Sequence, residues 1–229
     1  MLILGLTKTT LLDYPGKVAA TVFTGGCNFR CPFCHNGHLV LNVANEQKIY
    51  TEEVMEHLTK RRNVLEGVCI TGGEPTIQSD LPEFIGMIKD LGYDIKLDTN
   101  GSNPKMLREL ISAGLISYVA MDIKNSKEKY AFTTGCTETD LTRIEESIQI
   151  LKEGTIPYEF RTTVVRQLHE PEDIVKISNW IGDETGWYIQ SYKDSDYVIQ
   201  SGFSAYSKEE LESMLSRIKN NNCSLRGVE

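Results

Sequence analysis

Val18-Ala19-Ala20-Thr21-Val22-Phe23-Thr24-Gly25-Gly26-Cys27-Asn28-Phe29-Arg30-Cys31-Pro32-Phe33-Cys34-His35-Asn36 is a β-rich run that stops at two glycines and empties into a cysteine-dense loop. Strand, loop and helical pattern then recur along the chain about six times, at irregular spacing. The β-rich runs fall at residues 18–24, 67–71, 93–99, 117–123, 158–165 and 187–192. Such alternation predicts a parallel α/β fold. Six units fall short of the eight that close a barrel, so an open, partial (β/α)6 barrel is expected, with a doubly wound sheet as the alternative. In either architecture the loops at the carboxyl ends of the strands gather into one site, and the cysteine loop is the first of them.

Helix signals support the alternation. Leu81, Phe84, Ile85 and Ile88 share a face behind Asp80 and Glu83, which are spaced as a capping box. Ser207 and Glu210 repeat the spacing ahead of Leu211, Met214, Leu215 and Ile218. Pro104 after Asn103 and Pro171 after Glu170 suit first helical positions.

With 229 residues, 40% hydrophobic, and no linker-like stretch, the chain reads as one domain over 1–229, its cysteine loop at 25–37. A net charge of −8 argues against nucleic acid and anionic membrane as partners. The opening residues are only briefly apolar and carry Lys8, unlike a signal peptide or a membrane span, so a cytoplasmic location is expected.

Three of the six cysteines stand as C-x3-C-x2-C at Cys27, Cys31 and Cys34, a spacing for metal or redox chemistry rather than a disulfide framework. Glycines and Pro32 let the backbone bend around one compact centre. A [4Fe–4S] cluster normally takes four cysteines, so three leave one iron open for a ligand. Zinc is the rival, with His35 completing a Cys3His set, although adjacent Cys34 and His35 make an awkward chelate.

This loop, with Phe33 before the last cysteine, resembles the signature of the radical S-adenosylmethionine superfamily. Thr71-Gly72-Gly73-Glu74-Pro75, after the second strand, resembles that family's G-G-E-P segment. Asp98-Thr99-Asn100-Gly101 and Met121-Asp122-Ile123-Lys124 resemble the D-T-N-G and D-x-K segments of glycyl-radical-enzyme activases. The resemblance implies a [4Fe–4S] cluster on the three cysteines with S-adenosylmethionine on the open iron. It implies cofactor contacts from Phe33, Asn36, Gly72, Gly73, Glu74, Pro75, Thr99, Asn100, Asp122 and Lys124, and a monovalent cation at Asp98, Thr99 and Asp122. Arg161, in a strand, resembles an arginine that lies near the cofactor in the family, a structural carboxylate being the alternative partner. Gln190 stands where formate-lyase activases carry a Pro-Tyr-His segment, a departure, and is read as a ribose or adenine contact.

The run from Gly5 to Val18, followed by the cysteine loop, resembles the short activating proteins of anaerobic ribonucleoside-triphosphate reductase. That likeness implies an electron from flavodoxin or ferredoxin, cleavage of the cofactor, and a glycyl radical formed on the reductase. A small-molecule radical enzyme, another activase, and a zinc or iron–sulfur module that only binds or carries electrons are the alternatives. Cys69, mid-strand, is expected to be a buried small hydrophobe, with Cys136 and Cys223 as isolated structural thiols. His38, His57 and His169 are expected in surface or packing roles. Lys60, Arg61 and Arg62 are expected at a solvated helix end.

Overall fold

The computed structural model describes residues 1–183 and 185–228. Among the described residues eight strands form one sheet in sequence order: β1 Ile3–Thr10, β2 Ala19–Thr24, β3 Gly67–Gly72, β4 Asp94–Thr99, β5 Tyr118–Asp122, β6 Tyr158–Val164, β7 Trp187–Ser191 and β8 Cys223–Arg226. Strand β1 runs antiparallel to β2, and every later neighbour is parallel. No pairing joins β8 to β1 among the described residues, so the barrel is open. The six expected strands are β2 to β7. The flanking β1 and β8 were not anticipated, because β1 carries a polar second half and β8 only four residues.

Helices α1 Gly37–Leu41, α2 Thr51–Lys60, α3 Leu81–Asp90, α4 Pro104–Ser112, α5 Tyr130–Thr134, α6 Leu141–Lys152, α7 Pro171–Ile181 and α8 Lys208–Leu215 fill the crossovers. Their apolar stripes meet the outward residues of the strands. Val22, Ile70, Leu97, Val119, Phe160 and Ile189 all belong to this buried layer, as do Phe84, Ile85, Leu107, Ile148 and Ile177 from the helices. Each such side chain contributes about 1.5–3 kcal/mol on burial, so this layer supplies the main force that holds the strands in place.

Caps set where the helices begin. Asn103 accepts from the Met106 amide with Pro104 at the first position of α4, and Ser207 and Glu210 bond reciprocally at the start of α8. Pro171 opens α7 inside a box made by Glu170 and Asp173. The box expected at Asp80 and Glu83 does not form: the Asp80 carboxylate instead pairs with the α-ammonium of Met1, an ion pair that outcompetes a neutral cap.

The connection from β1 to β2 floors the barrel. Tyr14, 3% exposed, packs against Tyr118 with ring centroids 6.1 Å apart, and Lys17 reaches Asp94 at 2.7 Å. Gly67 is required beneath that ring, since a Cβ there would lie 2.8 Å from Tyr14 Cδ1. Asp13, from the same connection, rises into the interior and accepts from Thr21 Oγ1 at 2.6 Å.

Candidate active site

With apolar alternate residues turned outward to the helices, the other face of strands β2 to β7 points inward, and it is mostly polar. Above the floor the inward residues are Thr21 and Phe23 of β2, Thr71 of β3, Asp98 of β4, Asp122 of β5, Arg161 and Thr163 of β6, and Gln190 of β7. All of them line a cavity of about 300 Å³. Its roof is the cysteine loop.

That loop is held by backbone from three other segments. Arg30 N donates to Thr134 O at 2.8 Å, Glu74 N to Gly26 O at 2.8 Å, and Gly26 N to Leu39 O at 2.8 Å. Two glycines permit this closeness. A Cβ at Gly73 would fall 1.9 Å from Gly26 O, and one at Gly135 would fall 2.2 Å from Arg30 O. Within the loop Cys34 N donates to Cys31 O at 3.0 Å, and the Asn36 amide donates to Gly72 O at 3.2 Å.

The thiols of Cys27, Cys31 and Cys34 all border the cavity. Burial pushes them up, Cys27 to about 11 with Glu74 adding to the effect and Cys31 to about 12, so they are neutral until a metal displaces their protons. Among the described residues no three His, Cys, Asp or Glu side chains converge as the ligands of a single metal ion do. Three thiols on one cavity match the number a [4Fe–4S] cluster with one open iron takes from the protein, each thiolate on its own iron. His35, the fourth ligand of the zinc alternative, lines the same cavity.

Every other residue expected in the site also lines the cavity, except Pro75. Pro75 is buried at the start of the short 3-10 turn Pro75–Ile77 and shapes the loop from behind. Glu74 turns its carboxylate away from open space. One oxygen accepts from Thr76 N at 3.1 Å, Thr76 Oγ1 at 2.5 Å and Thr99 Oγ1 at 2.7 Å, and the other from Asn100 N at 2.6 Å. Although burial pushes its carboxyl up, four donors hold it as an acceptor that ties the second loop to the third. Asn100 passes the tie onward, donating from its amide to Asn28 Oδ1 at 2.9 Å.

Beneath the roof lies a chain of buried charge. Arg161 donates from NH1 to Asp98 Oδ2 at 3.0 Å and from Nε to Asp122 Oδ1 at 2.9 Å. Lys124 donates to Asp122 Oδ2 at 2.9 Å, and Lys96 donates to Asp98 Oδ1. Burial alone would raise both acids. Arg161 first, with Lys96 at Asp98 and Lys124 at Asp122, outweighs it and holds both carboxyls below the ordinary range. The same pairs raise Arg161 and Lys124 against the burial that opposes their charge. Arg161 thus meets two structural carboxylates at once. His169, fully buried, accepts from Val165 N at 3.2 Å through Nδ1 and binds Lys124 O at 2.8 Å through Nε2, which fixes the backbone that presents Lys124.

Lys96, Asp13, Thr21, Phe23 and Thr163 were not singled out in the sequence. The signal was there for Lys96, which alternates with Ile95 and Leu97 in step with Asp98, but a polar alternate in a strand ordinarily faces water. Cys69 is buried mid-strand as expected, yet on the inward face, with its sulfur 3.7 Å from Lys96 Nζ. Cys136 is half-buried with its sulfur 3.8 Å from Asn28 O, and Cys223 lies in β8.

Fold and cavity together define a partial-barrel enzyme whose first loop brings three thiols over a charged interior. Residues 21–181 match the model of the radical SAM superfamily, and the chain belongs to that superfamily. A protein of Methanocaldococcus jannaschii named for glycyl-radical enzyme activation is 33% identical over 199 residues, 85% of this chain and 81% of its own length. One of Thermococcus kodakarensis named for GTP 3′,8-cyclase activity is 32% identical over 154 residues, 65% of this chain but 48% of its own. Among solved structures, a radical SAM methyltransferase from Sphaerobacter thermophilus has a TM-score of 0.75 over 95% of this chain and 68% of its own, at 13% identity, a likeness of fold alone. Membership implies a [4Fe–4S] cluster and S-adenosylmethionine, and three cysteines bordering a charged cavity fit both. No helix among the described residues is long and apolar enough to cross a membrane.

Proposed function

We propose that this chain is the activating enzyme of a glycyl-radical enzyme, with anaerobic ribonucleoside-triphosphate reductase as the partner, because its opening segment resembles that reductase's activating proteins. One observation carries the reading. The thiol-roofed cavity adjoins a second cavity of about 540 Å³, with His35, Asn36, Thr163 and Gln190 common to both, and that second cavity offers a segment of another protein a place beside the site. The 33% likeness to an activating enzyme along 85% of the chain supports it.

In this reading Cys27, Cys31 and Cys34 hold the cluster. Phe33 and Asn36 would hold the adenine end of S-adenosylmethionine, and Gly72, Gly73, Thr99, Asn100, Asp122, Lys124, Arg161 and Gln190 would be its remaining contacts. When bound, the pair supplies one-electron cleavage of a sulfur–carbon bond and, from it, the power to take hydrogen from a glycine Cα. This chain's residues supply position and seclusion. Lys124 and Arg161 bring positive charge to the cavity wall for a carboxylate. Asn36 and Glu74 lock the first three loops into one frame, so that a bound group meets fixed partners. Phe23, Phe29 and Phe33 line the wall and keep water from a reactive species. Flavodoxin or ferredoxin is the electron donor in this scheme.

The test is anaerobic reconstitution, reduction, and mixing with the reductase and S-adenosylmethionine. The expected result is 5′-deoxyadenosine together with a glycyl doublet in the low-temperature electron paramagnetic resonance spectrum. Cofactor cleavage without any doublet would favour the small-molecule reading, which the cyclase likeness supports over part of the chain. Cys27→Ala is expected to abolish cleavage, and cleavage retained by that variant would sink the assignment.

A further inference from the structure

The resemblance to glycyl-radical-enzyme activases implies a monovalent cation at Asp98, Thr99 and Asp122. The geometry around those residues does not suit one. A cation site needs oxygens that face an open point and carry uncompensated negative charge. Here all four carboxylate oxygens already accept from protein cations: Asp98 from Lys96 and Arg161, Asp122 from Arg161 and Lys124. The Thr99 hydroxyl donates to Glu74 at 2.7 Å and accepts from Gly101 N at 3.1 Å, so it is turned toward the loop frame and away from the aspartates.

Charge points the same way. The chain of five holds three cations against two carboxylates. Lys96 is buried and the other four are partly buried, with relative exposures of 3% at Lys96, 13% at Asp98, 15% at Arg161, 28% at Asp122 and 19% at Lys124. A sixth charge of the same sign as the excess would have to be desolvated next to it. The other acids at the cavity are committed elsewhere, Glu74 to Thr76, Thr99 and Asn100, and Asp13 to Thr21.

We infer that Arg161 is a covalently supplied cation: its guanidinium bridges Asp98 and Asp122 where the resemblance calls for a monovalent ion, and this chain binds its cofactor without one. Lys96 is the positioning residue of the arrangement, since it takes Oδ1 of Asp98 and leaves Oδ2 for Arg161. The inference rests on the cavity being the cofactor site, but it can be tested apart from that reading.

The first measurement is thallium-ion NMR on the reconstituted wild-type protein, which reads a monovalent site with no cofactor present. No line shift that potassium reverses is expected, and saturable, potassium-competed binding would overturn the inference. The second is S-adenosylmethionine affinity in potassium against tetramethylammonium chloride at equal ionic strength. The wild type is expected to differ by less than about twofold, and a gain of about tenfold in potassium would overturn the inference. In Arg161→Ala the two aspartates lose their bridge, and thallium binding together with potassium-dependent cofactor affinity is expected to appear. A folded Arg161→Ala protein that takes up no thallium would count against the bridge as a substitute for the ion. If that variant fails to fold, the wild-type thallium titration decides by itself. If S-adenosylmethionine binds in neither salt, the cofactor-site reading fails, and the thallium result still judges Arg161.

Discussion

Two ion clusters occupy the barrel interior, one above the other, and they are built differently. The lower one joins Glu159 to Arg226 through two bonds of 2.8 and 2.9 Å. Tyr118 donates to the same carboxylate at 3.0 Å, and Arg226 stacks on Tyr188 with its guanidinium carbon 3.4 Å from the ring centroid. One acid meets one base, and an aromatic face covers the base. The upper one strings Lys96, Asp98, Arg161, Asp122 and Lys124 across the cavity with one cation in excess. A balanced pair is complete and serves to pin β8 to β6, whereas an unbalanced one keeps a charge for something that arrives.

The contrast can be broken by moving one charge at a time. The largest effect is expected below. Glu159→Gln leaves Arg226 without its anion and should lower stability by roughly 2–4 kcal/mol, toward the low end because a third of Arg226 is open to solvent. Urea unfolding measures it, and a loss below about 0.5 kcal/mol would mean that the pair does not hold the sheet edge. Cofactor affinity of the folded protein should change little.

Above, the expectation reverses. Lys124→Met removes the excess charge while Arg161 still pairs with both aspartates, so stability should stay within about 1 kcal/mol. Affinity for S-adenosylmethionine should fall by about tenfold or more, the worth of one charge-assisted hydrogen bond. Equilibrium binding to the reconstituted protein checks it, and an unchanged affinity would remove Lys124 from the cofactor contacts.

The smallest effect is in acid. The carboxyl of Asp122 is held down by Arg161 and Lys124 against the upward push of burial. A depressed acid adds stability that is fully present above its unfolded pKa, about 3.9, and is lost as pH falls toward its folded value. The stability difference between wild type and Asp122→Asn should therefore be flat from about pH 7 to 5 and shrink below about pH 4. Glu74, which burial pushes the other way, cancels in that difference. A difference that grows in acid would mean that Asp122 is not ionised in the folded chain.

The same contrast explains what could be read in advance. The roof was legible because its chemistry is local: three cysteines within eight residues, paired glycines after a strand, Asp and Thr before Asn-Gly. Glu74 was legible as the acid of the G-G-E-P segment, but not as a group whose oxygens are all claimed from Thr76, Thr99 and Asn100, since the last two lie more than twenty residues away. The floor was not legible. Tyr14, Lys17 and Asp13 belong to a connection between an unforeseen strand and the first expected one, and Arg226 sits in a strand of four residues.

By itself the sequence determined the strand and helix alternation, the cysteine loop and its place after β2, and the caps at Asn103 and Ser207. Each of those rests on residues a few positions apart, where propensity and hydrogen-bond reach act directly. The tertiary structure decided which face of each strand is inside. Asp94-Ile95-Lys96-Leu97-Asp98 alternates like a strand with one side in water, but the helices take the apolar side, so the curvature of the open sheet turns Lys96 and Asp98 inward. Charge buried that way needs partners from other strands, and only the curvature of the whole sheet brings Arg161 between Asp98 and Asp122.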